Sequence, residues 1–152
     1  MTSPTPTSSS GNTAGLLREA LAAIDAVVPQ RLAASGHPAI RTAHGPVFQH
    51  LDREGTTVSV LAQRAGMTKQ AMAELVRYLE GHGYVRRTPD PNDARAKLVQ
   101  LTDSGREVLE VVEELVPQME RLLLQALGKP RWQELREDLV RIQTIFRTTE
   151  PG

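Results

Sequence analysis

The sequence predicts a mainly α-helical chain with one small β wing, and three observations lead there. Apolar residues recur at helical spacing along most of the chain. Two short helical stretches in its middle are parted by a glycine turn at Gly66. Directly after them, two runs of strand-forming residues flank a turn rich in Pro, Asp and Asn. The chain has 152 residues, the length of one ordinary domain or one subunit of a small oligomer. Its 39% hydrophobic and 24% charged residues are the composition of a globular protein with a real core.

Residues 1–12 hold Pro4, Pro6 and a Ser/Thr run ending in Gly11-Asn12, and are expected to be a disordered tail. A single domain is expected over 13–152. Thr13 stands where it can cap a first helix with an apolar stripe of Leu17, Leu21, Ile24 and Val28. Pro29 and the Gly36-His37-Pro38 cluster should end that helix, with fraying after Leu32. A second helix reads through Ile40, Ala43, Val47 and Leu51. Gly45-Pro46 should make it start late or kink, and Gly55 closes it.

Thr57-Val58 suits a two-residue strand, and Ser59 a cap for a short helix holding Leu61, Ala62 and Ala65. Gly66 breaks that helix and Thr68 caps the next, which should bury Ala71, Met72, Leu75, Val76 and Leu79 before Gly81-His82-Gly83. Tyr84–Thr88 reads as a strand, Pro89–Ala96 as a long polar turn, and Lys97–Leu101 as the returning strand. Helix, helix, hairpin is the order of a winged helix-turn-helix, here placed at 55–101. Thr102 then caps a long helix through Leu109, Val112, Val116, Met119, Leu123 and Ala126, bent at Pro117. Gly128 ends it, and Pro130 suits the first turn of a last helix carrying Trp132, Leu135, Leu139, Ile142 and Phe146. These stripes suit helices packed along a seam. They are too long for one small lobe to cover, so 13–34 and 106–148 are expected to serve as dimerisation helices.

Composition removes several function classes. The chain contains no cysteine, which excludes disulfides, thiolate metal sites and cysteine redox switching. Apolar runs are about four residues long, far below the ~20 needed to span a bilayer. No Lys or Arg precedes Arg18 and no apolar segment starts the chain, so no signal peptide is expected and the cytoplasm is the expected location. Aromatics are only 3%, too few for a base-stacking platform. Lys+Arg and Asp+Glu balance at 18 each, but residues 53–101 are net basic and 102–152 net acidic. That division suits one face that meets phosphates rather than a chain that coats nucleic acid.

The outward stripe of the helix after Thr68 is Gln70, Ala73, Glu74 and Arg77, with Lys69 beside it in the first turn. Laid into a major groove, Gln70 can pair with an adenine edge and Lys69 or Arg77 with guanine or phosphate, while Ala73 permits close approach. Free N–H groups at Thr68–Gln70 favour a phosphate oxygen. Glu74 resists phosphates unless it accepts from a cytosine amino group or pairs with Arg77. An ordinary solvated helix face has much the same composition. The hairpin favours nucleic acid. Arg95 near the tip of a Pro-containing loop can enter a narrow minor groove, Asp93 can hold its guanidinium, and Arg86, Arg87 and Lys97 can take phosphates. A capped surface turn is the plainer account of the same residues. No nucleophile–base pair, phosphate loop or metal box occurs, so neither an enzyme nor a cofactor is expected.

The stretch Val58–Gly105 resembles the DNA-binding core of the MarR (multiple antibiotic resistance regulator) family. The likeness rests on Leu61-Ala62, Met67 through Met72, Leu79-Glu80, Gly83-Tyr84-Val85, Arg87, Asp90-Pro91, the Asp93-x-Arg95 pair and Leu101-Thr102-x-x-Gly105. Flanking helices in the family's order extend it to nearly everything beyond residue 12. The resemblance implies a homodimer with intertwined terminal helices, a pseudo-palindromic double-stranded DNA operator, and repression relieved by a small, often aromatic, effector. Since the second helix lines the effector site in relatives, Arg41, His44 and Phe48, with Trp132, are its candidate lining. Some relatives bind zinc near that helix, but His37, His44, His50 and His82 show no His-x-x-x-His spacing, and no metal site is expected. Many members carry a basic residue where Glu74 stands, and the cysteine of the oxidation-sensing branch is missing.

The reading is a homodimeric, ligand-responsive DNA-binding repressor with no membrane partner. Two other classes use the same residues: a winged-helix module that binds proteins, and a helical carrier of small molecules. Retention of a duplex in a gel shift separates both from the regulator.

Overall fold

The computed structural model describes residues 11–148. In chain order they form α1 (Thr13–Ala34), a 3-10 turn (Thr42–His44), α2 (Gly45–His50), α3 (Val58–Ala65), α4 (Lys69–Gly81), β1 (Val85–Asp90), β2 (Asp93–Leu101), α5 (Asp103–Leu127) and α6 (Lys129–Thr148). The fold is mainly helical with a two-stranded antiparallel wing. Two compact units divide it: one ends at Val112, within α5, and the other begins at Glu113. No described helix is long and apolar enough to cross a membrane.

The first unit is built around one core. Leu32 from α1, Ile40, Val47 from α2, Leu61 and Ala62 from α3, Met72, Val76 and Leu79 from α4, Tyr84, Val85 and Val99 from the wing, and Val108 from α5 are all buried together. Local hydrogen bonds start and stop the helices that carry these groups. Thr57 Oγ1 accepts from Val60 N to open α3, Gly66 leaves it at φ 64°, and Thr68 Oγ1 accepts from Ala71 N to open α4. The hydroxyl of Thr102 accepts from Gly105 N and donates to the Gly83 carbonyl, fixing the start of α5 against the end of the turn before β1. Gly105 itself has no alternative, since a Cβ there would lie 2.1 Å from the Tyr84 carbonyl oxygen.

Several elements differ from the sequence expectation. Asn12, not Thr13, caps α1, its side chain accepting from Gly15 N at 2.8 Å. The expected tail therefore yields Gly11 and Asn12 to the described fold; its residues 1–10, and 149–152 at the other end, lie outside the described residues. Helix α1 carries Pro29 inside it and ends at Ala34, the bound expected for it. A proline leaves the carbonyl four residues before it without its helical donor, here Asp25. The Thr42 hydroxyl donates to that carbonyl at 3.3 Å, which supports the helix through the proline. Pro46 sits at the start of α2, as the late start required. The expected strand at Thr57-Val58 is a single bridge one residue earlier, Thr56 to Val99, and Thr57 rather than Ser59 caps α3. The long turn Pro89–Ala96 contracts to Pro91-Asn92 between strands. Regular pairing ends at Pro89 with Lys97, then slips so that Asp90 faces Asp93, which leaves Ala94–Ala96 as a bulge on β2.

The second unit is the rest of α5 with α6. Gly128, at φ 77°, turns one helix into the next. Arg136 joins them, its guanidinium 2.9 Å from Glu120 Oε2 and 4.8 Å over the Trp132 ring. Large apolar side chains remain in solvent here: Leu122 is 65% exposed, Val140 61% and Phe146 74%.

Candidate nucleic-acid interface

Helix α4 is held by its inner face and offers the outer one. Met72, Val76 and Leu79 are fully buried, which turns Lys69, Gln70, Glu74 and Arg77 to solvent with half-buried Ala73 among them. The Thr68 hydroxyl satisfies the Ala71 N–H, so the first-turn N–H groups of Lys69 and Gln70 have no intrahelical acceptor. A helix start of this kind, with a lysine beside it, favours an anion.

The wing stands after α4 and carries the remaining sites. Two short side-chain bonds fix its tip: Asp90 Oδ1 accepts from Asn92 N at 2.8 Å, and Asp93 Oδ1 from Arg95 N at 2.9 Å. The second bond corrects the expected carboxylate–guanidinium pair. Asp93 holds the backbone of Arg95, and the Arg95 guanidinium has no ion pair among the described residues. The bulge at Ala94–Ala96 places Arg95 among residues outside the regular ladder, so its side chain is not tied to a neighbouring strand residue.

The strand cations do not form one group. Register pairs Arg87 with Val99 and Pro89 with Lys97, whereas Arg86 pairs with Gln100. Alternation along a strand then puts Arg87 and Lys97 on one face of the hairpin and Arg86 on the other. Arg87 is also engaged, with Nε 3.4 Å from Glu80 Oε2 near the end of α4. That contact escaped the sequence reading because the two residues are joined across a turn, where no helical or strand spacing signals a pair. Lys69, Arg77, Arg86, Arg95 and Lys97 take part in no ion pair among the described residues. Another cation of this region, Arg64, is spent on structure: it donates to the His50 carbonyl and to Asp52, holding that carboxyl below the usual range.

The residues proposed to line an effector site have structural tasks. His44 is buried, its Nδ1 accepting from the Arg41 N–H at 3.0 Å. Its ring stacks on Tyr78 at 4.6 Å, and Tyr78 in turn meets the His82 ring at 4.2 Å. The Tyr78 hydroxyl donates to the Ala39 carbonyl. Burial, then the Arg41 guanidinium and the His82 ring, push His44 below its ordinary pKa. Phe48 packs partly buried against the core, and the Arg41 side chain is exposed. The stack binds the segment before α2 to the far end of α4, a link no sequence spacing announced. His37 lies edge-on to Tyr84 and 3.5 Å from the Glu107 carboxylate. Among the described residues no three His, Asp or Glu side chains come together as a metal site would need.

Residues 40–96, from buried Ile40 to the bulge of the wing, match the model of the MarR family. A stretch of 58 residues is 38% identical to the transcriptional regulator HosA of Escherichia coli O111:H-, covering 38% of this chain and 43% of that protein. The match thus spans less than half of that relative. Solved structures extend the likeness in fold. Streptococcus pneumoniae FabT in complex with DNA superposes with a TM-score of 0.76 at 15% identity, covering 89% of this chain and 95% of that one. The transcriptional repressor CouR bound to a 23-mer DNA duplex gives 0.68 at 26% identity, covering 93% and 99%. The part of this chain matched by the family model holds α4 and all of the wing sites up to Arg95.

Proposed function

We propose that this chain is a sequence-specific regulator of transcription that binds double-stranded DNA as a homodimer, and that it represses until a small effector releases it. The observation that carries the reading is the pairing of two unspent basic features on one lobe. They are the capped start of α4 with Lys69 and Arg77, and a wing whose Arg95 and Lys97 take part in no ion pair among the described residues. In this reading α4 enters the major groove with Gln70 and Ala73 at base edges, and Arg95 reaches the adjacent minor groove. Arg86 and Lys97 lie against phosphates. Thr68 acts by keeping the helix start in place rather than by touching DNA, because its hydroxyl is already bonded to Ala71 N. Asp93 likewise acts through the tip backbone.

The dimer is supported by what each part of the chain leaves uncovered. Leu16, Leu21, Ile24 and Val27 on α1 are exposed, as are Leu139, Val140, Ile145 and Phe146 on α6. Apolar area of that extent marks a surface meant for a partner, and a second copy supplies the paired half-sites that two recognition helices need. HosA is a transcriptional regulator and CouR a transcriptional repressor, which supports a regulatory role for this chain. The working compartment is the one that holds the DNA, the cytoplasm of a bacterial cell.

Selection of duplexes from a random library by the purified protein tests the proposal. A two-fold symmetric sequence should emerge, and its affinity should fall steeply as salt rises, since phosphate contacts release counterions. Failure to retain any duplex at modest ionic strength sinks the reading.

A further inference from the structure

Glu74 stands in the middle of the α4 face that the proposed function turns toward bases, and no cation answers it. Gln70 lies one turn before it and Arg77 one turn after, yet neither Arg77 nor any other Lys, Arg or His among the described residues pairs with its carboxylate. The acid on the same helix that does have a partner is Glu80, bonded to Arg87 at the other end of α4. The Glu74 carboxylate is therefore solvated in the free protein and must lose that water when α4 meets DNA. Phosphates on both walls of the groove repel it. On the floor, the atoms able to repay it are exocyclic amino hydrogens, and cytosine presents its amino group without an adjacent acceptor on the same base. Half-buried Ala73 next to it adds no side-chain bulk that would hold the helix away.

From this we infer that Glu74 is a specificity-determining residue that makes each half-site carry a cytosine. This inference rests on the DNA-binding reading and deepens it. The carboxylate works mainly by exclusion: it weakens binding to every duplex without an amino donor at that place, and only slightly favours the right one. Nonspecific affinity is sacrificed, and discrimination is gained.

The test compares duplex selection by the wild-type protein, Glu74→Gln and Glu74→Ala, with thermal melts to show that these exposed substitutions leave the fold intact. The wild type should enrich cytosine at one position of each half-site, and replacing that base should weaken binding roughly tenfold. Glu74→Gln should shift the preference there to adenine, whose edge suits an amide. Glu74→Ala should erase the preference and bind unrelated duplexes several-fold more tightly at low salt. Identical selected sequences from all three proteins, or a wild-type position filled by another base, overturn the inference while leaving DNA binding in place. A wild-type protein that selects no duplex removes the inference together with the function beneath it, and that outcome is visible before either variant is made.

Discussion

The lobe before Val112 and the helices after Glu113 solve the burial problem differently. In the first, residues from α1, α2, α3, α4, the wing and the start of α5 bury one another completely, with Val47, Leu61, Met72, Val76 and Leu79 at 0% exposure. In the second, Arg136 ties the two helices through Glu120 and Trp132, but Leu122, Val140 and Phe146 stay mostly in water. The lobe has a complete core as a single chain and leaves apolar side chains exposed only along α1, at Leu16, Leu21, Ile24 and Val27. The second unit is incomplete as a single chain and presents apolar surface. A substitution in the lobe should thus change folding or DNA binding, and one on the second unit's apolar surface should change association.

The largest effect is expected where the lobe leaves no room. Gly105→Val sets side-chain carbon 2.1 Å from the Tyr84 carbonyl, and backbone cannot yield as a flexible side chain does. Urea unfolding should show a loss of at least about 3 kcal/mol. A loss under about 1 kcal/mol would mean that the junction between the wing and α5 is looser than its Thr102 hydrogen bonds indicate.

Next in size is Phe146→Glu, the sharpest test of the contrast. Its ring is 74% exposed, so the lobe's own unfolding should change by less than about 0.5 kcal/mol. If that surface is the proposed dimer contact, sedimentation should show self-association weakened by on the order of 2 kcal/mol or more. An unchanged dimer would remove α6 from the interface. Arg95→Ala follows, with operator affinity reduced by roughly 1–3 kcal/mol and both folding and association intact. Arg87→Ala should cost less than that, because Arg87 must leave Glu80 before it can bind a phosphate. An Arg87→Ala loss equal to that of Arg95→Ala would show that the Glu80 contact does not compete.

What the sequence disclosed follows the same division between local and distant causes. Thr68, Gly66, Thr102, Gly128 and the late start at Pro46 were legible because each acts within about four residues of itself. The support that Thr42 gives to α1 at Pro29 was not legible, since it comes from 17 residues beyond Asp25. The wing's three-residue bulge was hidden because turn-forming residues predict a loop equally well whether or not the strands resume pairing beyond a slip. For the site, the outward stripe of α4 could be read from helical period alone. The engagement of Arg87 and the enclosure of His44 could not, since both depend on which elements meet.

The smallest expected effect probes His44, a titratable group buried in the lobe. His44 accepts from the Arg41 N–H through Nδ1, which requires the neutral ring, and it faces Tyr78, His82 and the Arg41 guanidinium, none of which stabilises a positive charge. Its folded pKa lies below the unfolded value of 6.5, so the unfolded chain takes up the proton first as pH falls. Stability from this residue is therefore complete above pH 6.5 and declines below it until the folded ring also protonates. Asp52, depressed mainly by its hydrogen bond from Arg64, acts in a separate window below 3.8. Denaturation of the wild type between pH 7 and 5 should show a decline no steeper than one proton allows. The same series with His44→Asn, whose amide oxygen can replace the Nδ1 acceptor, should be flatter. Equal slopes in the two proteins would assign the decline to other groups and reduce the His44–Tyr78–His82 stack to packing. A flatter variant would make the link between α4 and the segment before α2 sensitive to mild acid, which is where α4 is anchored at its far end.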